Sequence, residues 1–365
     1  MATAWYLGLD GGNTKTDCAL QGPACPRMEL VRGGPSNPET VGFETAADTV
    51  NLLVAQTLER AGATRQRISA ACFAMAGMDL PPDRDAIRRQ IVDPLELSCP
   101  IVICNDVFAG FRAGSPCGVG MCVSAGTGIT FCGRNCQGET LQFEHPKPES
   151  LDQRVRKMLI AEYLGIGPPC SFREEYLETL GISSLKQYYW TSYANRDYTP
   201  KLERQRERNA RVVLFRPTYH CDPVLCRIFE RYASDIAEFL IALGKRLRLG
   251  TQPFELVLSG SQFVEGKHPI LNARLMEFVR NEFPICVPVL VDGPPVRGAL
   301  RMAAELAHQP RGRGRGAFVI DDAIPFALSA DPILEHTSLP CGVLAVAPPD
   351  IDFVDLLPIF QRQPE

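Results

Sequence analysis

No two cysteines of this sequence stand at the C-x-x-C spacing, and the closest pair is Cys132 and Cys136, so neither a zinc ribbon nor a thioredoxin-type motif is present. The fourteen cysteines run from Cys18 to Cys341, and many lie in apolar stretches (Cys72, Cys104, Cys122, Cys286). They read as small core residues and not as a disulfide framework. An excess of basic charge is also missing: 38 Lys and Arg against 42 Asp and Glu leave a net charge of -4. That removes the field that would draw the chain to nucleic acid or to an anionic membrane, and makes a small molecule the expected partner. No apolar run approaches membrane-spanning length. The first residues carry no basic segment and no small-residue cleavage site, so a cytoplasmic location is expected. The five histidines (145, 220, 268, 308, 336) do not cluster in sequence. They are expected to be surface or satisfied polar residues, and no structural metal is predicted.

What is present is a 365-residue chain, 45% hydrophobic, long enough for two domains with a core each. Ala4 to Asp10 is an apolar run closed by Gly11-Gly12. With Asp17 to Gln21 and Met28 to Val31 it suggests a three-stranded meander. Residues 43 to 61 place Ala46, Val50, Leu53, Val54 and Leu58 at the three-and-four spacing of an amphipathic helix. A strand at 68–76, a helix after Pro81-Pro82, a strand at 100–104 and a short helix from Val107 follow. The second half repeats the order. Gly118 to Val123, Ile129 to Gly133 and Glu139 to Phe143 form a second meander, a helical region fills about 150 to 249, and strands at Phe254–Leu258 and Ile285–Val291 alternate with helices at 268–282 and 294–308. Three strands followed by alternating helix and strand, twice in one chain, predicts a duplicated α/β fold with a ligand cleft between the copies. The boundaries expected are 1–115 for the first lobe, 116–309 for the second, and 310–365 for a basic linker (PRGRGRG) and an extension of unread role.

The candidate chemistry lies in the turns. DGGNTKT, residues 10 to 16, puts a carboxylate, two glycines, two hydroxyls and a lysine directly after a strand. Gly11, Gly12, Asn13, Thr14 and Lys15 are expected to take phosphate oxygens, and Asp10 to hold Mg2+ through water, because that ion keeps most of its hydration shell. A bare hairpin turn needs glycine and asparagine but has no use for Asp, Thr and Lys together. SAGTGIT, residues 124 to 130, occupies the equivalent hairpin of the second half and offers Ala125, Gly126, Thr127 and Gly128. Asn105-Asp106 ends the strand PIVIC, where a carboxylate points into a cleft. Asp106 is the candidate general base, with a helix N-cap as its structural alternative. LSGS (258–261) could set Ser259, Gly260 and Ser261 against a nucleoside. In PPVRGA (294–299), Gly298 inside a helix costs about 1 kcal/mol relative to alanine, which points to close packing or a hinge. KLERQRERNAR (201–211) mixes signs and reads as a solvated helix face.

Together these residues resemble the BadF/BadG/BcrA/BcrD ATPase family, within it the N-acetylglucosamine kinase branch of the sugar kinase, Hsp70 and actin superfamily, over residues 5 to about 309. DGGNTKT is similar to the family's first phosphate motif, SAGTGI to its second, NDVFAG and PPVRGA to its interlobe connections, LSGS to its adenosine motif, and GGPSNP to its sugar-contacting stretch. The resemblance implies duplicated ribonuclease-H-like, actin-like ATPase lobes and transfer of the terminal phosphate of ATP, with Mg2+, to the 6-hydroxyl of N-acetylglucosamine, glucosamine or a related amino sugar. It puts Asn37, Asn105, Asp106 and Thr127 on the acceptor. The family's tryptophan stretch and GDEGS-like acidic segment are replaced by GRNCQGETLQFEHPKPESLDQRVRK, so a substitute carboxylate would come from Glu139, Glu144 or Asp152. Two other readings stay open: an ATP-driven activator of a dehydratase or reductase with an iron–sulfur cluster between subunits, and a kinase-like protein that binds without chemistry. Oligomeric state is open too, a homodimer included.

Overall fold

A computed structural model describes residues 5–22, 27–143, 146–194, 206 and 209–308. His145, Glu144, His336, the linker and extension from 309 onward, and most of the 201–211 stretch lie outside the described residues. The first sheet takes β1 (Trp5–Gly11), β2 (Thr16–Gln21), β3 (Glu29–Gly33), β4 (Ile68–Met75) and β5 (Ile101–Cys104) in the order β3-β2-β1-β4-β5. The second takes β6 (Gly120–Ala125), β7 (Ile129–Arg134), β8 (Thr140–Phe143), β9 (Phe254–Ser259) and β10 (Cys286–Leu290) in the order β10-β9-β6-β7-β8. Read from the meander outward, the two orders are the same. In both, the meander is antiparallel and the last two strands join parallel to the first. These are two mixed five-stranded ribonuclease-H-like sheets, as the repeated strand pattern predicts.

The parallel strands need crossover helices, and the sequence supplies them. After the single turn α1 (Pro38–Val41), α2 (Phe43–Ala61) buries Ala46, Val50, Leu53, Val54 and Leu58 and ends at Gly62 in the left-handed region, φ 59°. α3 (Pro81–Ile87) continues through a π-helical turn before β5. α4 (Asp106–Gly114) leads out of the first sheet. Between β8 and β9 the second copy carries a helical insertion: α5 (Leu151–Tyr163), α6 (Arg173–Leu180), α7 (Leu185–Ala194), α8 (209–214) and the long α9 (Pro223–Arg246). α10 (Ser261–Val264) and α11 (Pro269–Glu282) follow β9, and α12 (Val296–His308) follows β10.

Two of these helices change sides. α4 follows the first sheet in the chain but packs on β6, β7 and β9 of the second, while α12 follows the second sheet and packs on β1, β4 and β2 of the first. They cross each other, and Arg112 of α4, 2% exposed, ion-pairs Glu305 of α12. Arg301 adds donations to the carbonyls of Arg112 and Ala113 at 3.0 and 3.1 Å, filling C-terminal acceptors of α4. The cores on the two sides are separate apolar clusters, and Cys18, Cys72, Cys99, Cys104, Cys122, Cys132, Cys170 and Cys286 are buried free thiols within the packed interior. Among the described residues no helix is long and apolar enough to cross a membrane.

The histidine expectation needs correcting at His268, while His220, half-buried with Nε2 3.2 Å from the Phe215 carbonyl oxygen, fits it. His268, at the start of α11, is fully buried, and neither ring nitrogen has a hydrogen-bond partner among the described residues. Its ring stacks on Phe229 with centroids 3.9 Å apart and meets the His220 ring edge-on at 4.6 Å, across a sequence gap that hid the pair. Burial, and then the neighbouring His220, lower its pKa to about 3. The folded state therefore refuses a proton that the unfolded chain takes up near pH 6.5, and stability rises with pH between those two values. Moving from pH 7 to pH 5 is expected to cost about 2 kcal/mol through this residue alone. His268→Leu should flatten that acid limb in urea melts at the two pH values. A pH slope identical to the parent's would show that His268 titrates normally.

Candidate active site

β1 and β2 join in a tight hairpin in which Gly12 N–H donates to the Lys15 carbonyl at 3.0 Å, and Ser36 N–H donates to the Gly12 carbonyl at 3.2 Å. Strand register then sets Asp10 beside Asp17, and Asp17 beside Arg32. Asp17 is fully buried and accepts from Arg32 Nε at 2.6 Å and Nη2 at 3.0 Å, with Lys15 Nζ at 3.4 Å. Among the described residues Asp10 makes no ion pair at contact distance. Burial first, then the charges of Asp106 and Asp17, raise its pKa well above the usual carboxylate range, against the opposing pull of Lys15 and Arg32.

β6 and β7 make the equivalent hairpin, paired as far as Ala125 and Ile129, with Gly126 N–H donating to the Gly128 carbonyl at 2.9 Å. β5 ends at Cys104. Asn105 caps α4 by accepting from Val107 N–H at 3.0 Å, so the cap role considered for Asp106 falls to its neighbour, and Asp106 occupies the first helical position.

These pieces line one cavity of about 870 Å³. Of the residues singled out in the sequence, Asp10, Gly12, Asn13, Thr14, Lys15, Asn37, Asn105, Asp106, Gly126, Thr127, Gly128, Ser259, Gly260 and Ser261 reach its wall. Gly11 and Ala125 do not line it. Gly11 sits behind, where a Cβ would come within 2.6 Å of Ser36 Oγ. The amide of Asn37 is already engaged: its oxygen accepts from Glu39 N–H at 2.9 Å, and its nitrogen donates to Asn13 Oδ1 at 2.7 Å, tying the first turn to the α1 loop. Gly77 holds φ 79° against this amide, and a Cβ there would lie 2.3 Å from Asn37 Oδ1.

The carboxylates that line the cavity are not the expected substitutes. Glu139 accepts from Asn135 Nδ2 at 2.6 Å in the β7–β8 turn, Asp152 is ion-paired with Arg211, and neither lines the cavity; Glu144 lies outside the described residues. The lining carboxylates besides Asp10 and Asp106 are Glu39, Asp79 and Glu265, none of which sequence reasoning singled out. Asp79 accepts from Asn105 Nδ2 at 3.2 Å, which places it beside the candidate base. A signal was available: Asp79 follows the C-terminal end of a parallel strand, where cleft ligands gather, and Glu39 stands two residues beyond Asn37. Arg32 and Lys147 are further lining residues without a motif. The solvated-face reading of 201–211 is corrected at its end, since Arg211 is 8% exposed.

No protein-family model matches the chain. Two solved structures, both of candidate N-acetylglucosamine kinases, superpose on it. The one from Chromobacterium violaceum has a TM-score of 0.57 over 82% of this chain and 99% of its own. The one from Porphyromonas gingivalis has 0.56 over 81% and 97%, and each is 16% identical. The fold is the two-lobed actin-like ATPase fold. Among characterised relatives, the N-acetyl-D-glucosamine kinase of Dictyostelium discoideum is 21% identical over 321 residues, covering 83% of this chain and 98% of that protein. The N-acetylmuramic acid/N-acetylglucosamine kinase of Clostridium acetobutylicum is 27% identical over 136 residues, or 37% of this chain and 44% of the relative. The chain thus spans less than half the length of that second relative in the alignment.

Proposed function

We propose that the chain is an ATP-dependent carbohydrate kinase that transfers the terminal phosphate of ATP to a hydroxyl of an amino sugar, the 6-hydroxyl of N-acetylglucosamine or glucosamine being the foremost candidate. One observation carries the reading: the two topologically equivalent glycine turns and Asp106 line the same cavity, large enough for a nucleotide and a sugar together. The names of the relatives support the sugar as acceptor class.

Phosphoryl transfer asks the protein for positioning and charge compensation more than for covalent chemistry. On this reading Gly12 to Lys15 and Gly126 to Gly128 hold the phosphates from the two sides, and Ser259 to Ser261 back the nucleoside. Asp106 accepts the proton of the attacking hydroxyl, and Asn37, Glu39, Asp79 and Asn105 surround the acceptor. The crowding of Asp10 with Asp106 and Asp17 is the arrangement that a divalent cation relieves, so Mg2+ fits here with Asp10 as its carboxylate contact through water. When bound, the ion would offset charge on the phosphate oxygens.

The reading is tested by coupled ADP release across N-acetylglucosamine, glucosamine, N-acetylmuramic acid and glucose. ADP formation that requires one of the amino sugars, with a phosphate monoester on its 6-oxygen by NMR, is the expected result. ADP release that ignores every sugar would leave an ATPase and discard the acceptor; no release and no nucleotide affinity would discard the enzyme.

A further inference from the structure

The carbonyl of Gly126 is held from behind by two buried side chains of distant origin. Gln262 Nε2, on α10, donates to it at 2.9 Å, and Arg211 Nη1, on α8 of the helical insertion, donates as well. Arg211 is itself fixed by both oxygens of Asp152 in the first turn of α5, with Nε to Oδ1 at 2.9 Å and Nη2 on Oδ2. Neither Arg211 nor Gln262 lines the cavity, whereas Gly126 and Thr127 do. The peptide unit is planar and trans, so its C=O and the following N–H point in opposite directions. Pinning the Gly126 carbonyl toward the protein interior therefore aims the Thr127 N–H into the cavity.

We propose that Arg211 is a positioning residue for the second glycine turn: with Asp152 and Gln262 it locks the Gly126–Thr127 peptide so that the Thr127 N–H is presented to a phosphate oxygen. This rests on the reading that the turn takes the phosphates of a nucleotide. It gives the helical insertion a task in the site that its sequence position, after the meander of the second copy, does not disclose. It also accounts for burying a guanidinium and a carboxylate together, since a planar fork matched to a carboxylate holds one orientation where a lysine would not.

The test compares two probes on the full chain by calorimetry: a non-hydrolysable ATP analogue with Mg2+, and adenosine. Arg211→Met is expected to weaken the analogue about ten- to hundredfold, the worth of one charge-assisted hydrogen bond, and to leave adenosine within about twofold. kcat/KM for ATP should fall by the same factor, with KM for the sugar unchanged. Arg211→Lys should recover only part of the loss, and Gln262→Met, which strands no charge, should show the same split on a smaller scale. If Arg211→Met does not fold because Asp152 is left unpaired, the double variant Arg211→Met/Asp152→Met removes both charges and carries the same expectation. Parallel loss of analogue and adenosine binding would reduce Arg211 to a structural residue, and undiminished analogue binding would refute the proposal. A parent protein that binds adenosine and the analogue equally would instead overturn the phosphate-turn reading and the positioning role with it.

Discussion

Replacing Asp106 by Asn is expected to lower kcat by about 10³-fold while the affinity for ATP stays within about threefold. The side chains are nearly the same shape, the helix cap belongs to Asn105 and is untouched, and loss of one acidic group from the first turn of α4 costs only about 0.5 kcal/mol of helix-dipole interaction. What disappears, on the proposed reading, is the acceptor for the hydroxyl proton. A second signature separates this account from simple damage. The Asp106 charge is one of the causes that hold the Asp10 pKa above the usual carboxylate range, after burial. If Asp10 serves Mg2+ as proposed, its raised pKa means that in the parent it takes up its proton at a higher pH than an ordinary aspartate, and affinity for Mg–nucleotide is expected to fall early on acidification. Without the Asp106 charge, the Asp10 pKa moves down and that fall shifts to lower pH. Calorimetric titrations of Mg–ADP at several pH values check the shift, and stopped turnover assays check the rate. Equal losses of turnover and nucleotide affinity would make Asp106 a binding residue and leave the general base unassigned.

The parts of this site that the sequence disclosed are those whose neighbours are local in the chain. A turn such as DGGNTKT writes its geometry in consecutive residues, and α2 writes its buried face in a period that one window contains, which is why the strands, the turns that line the cavity and the place of Asp106 at its wall were legible. Asp79 and Glu39 were missed because neither belongs to a glycine-rich turn, although each stands two residues from another lining residue, Gly77 and Asn37. The Asp152–Arg211 pair was missed for another reason: 59 residues separate its members, and each alone resembles the solvated charges around it. His220 and His268 meet only because α9 and α11 pack together. The exchange of α4 and α12 between sheets lies beyond periodicity altogether, since α4 is buried on nearly every side and the apolar face of α12 does not say which sheet it covers. Sequence left one trace of it, in the glycine of PPVRGA.

That glycine carries the second large effect. At Gly298 a Cβ would sit 2.0 Å from the carbonyl oxygen of Ala109 and 2.6 Å from the backbone nitrogen of Ala113, so α12 touches the backbone of α4 with nothing between. Backbone atoms cannot rotate away as a side chain end can, and the helices would have to part. Gly298→Ala gains about 1 kcal/mol of helix propensity, while overpacking of this kind costs about 1 to 3 kcal/mol and backbone contact sits at or beyond the upper end. A net loss of about 2 kcal/mol is expected by urea denaturation. Gly34→Ala is the control: an added Cβ there meets no atom within 4 Å, and a loop glycine replaced without strain leaves stability unchanged or up by about 0.5 kcal/mol. The consequence reaches the site because α4 begins at Asp106 and covers the sheet that carries the second turn, while α12 covers the sheet that carries the first. Parting the helices displaces one cavity-lining turn from the other, so if both take phosphates as proposed, Gly298→Ala should weaken the ATP analogue even under conditions where the variant is fully folded. A variant as stable as the parent with undiminished analogue binding would show that the crossing has room to spare and that the two turns do not depend on it for their spacing.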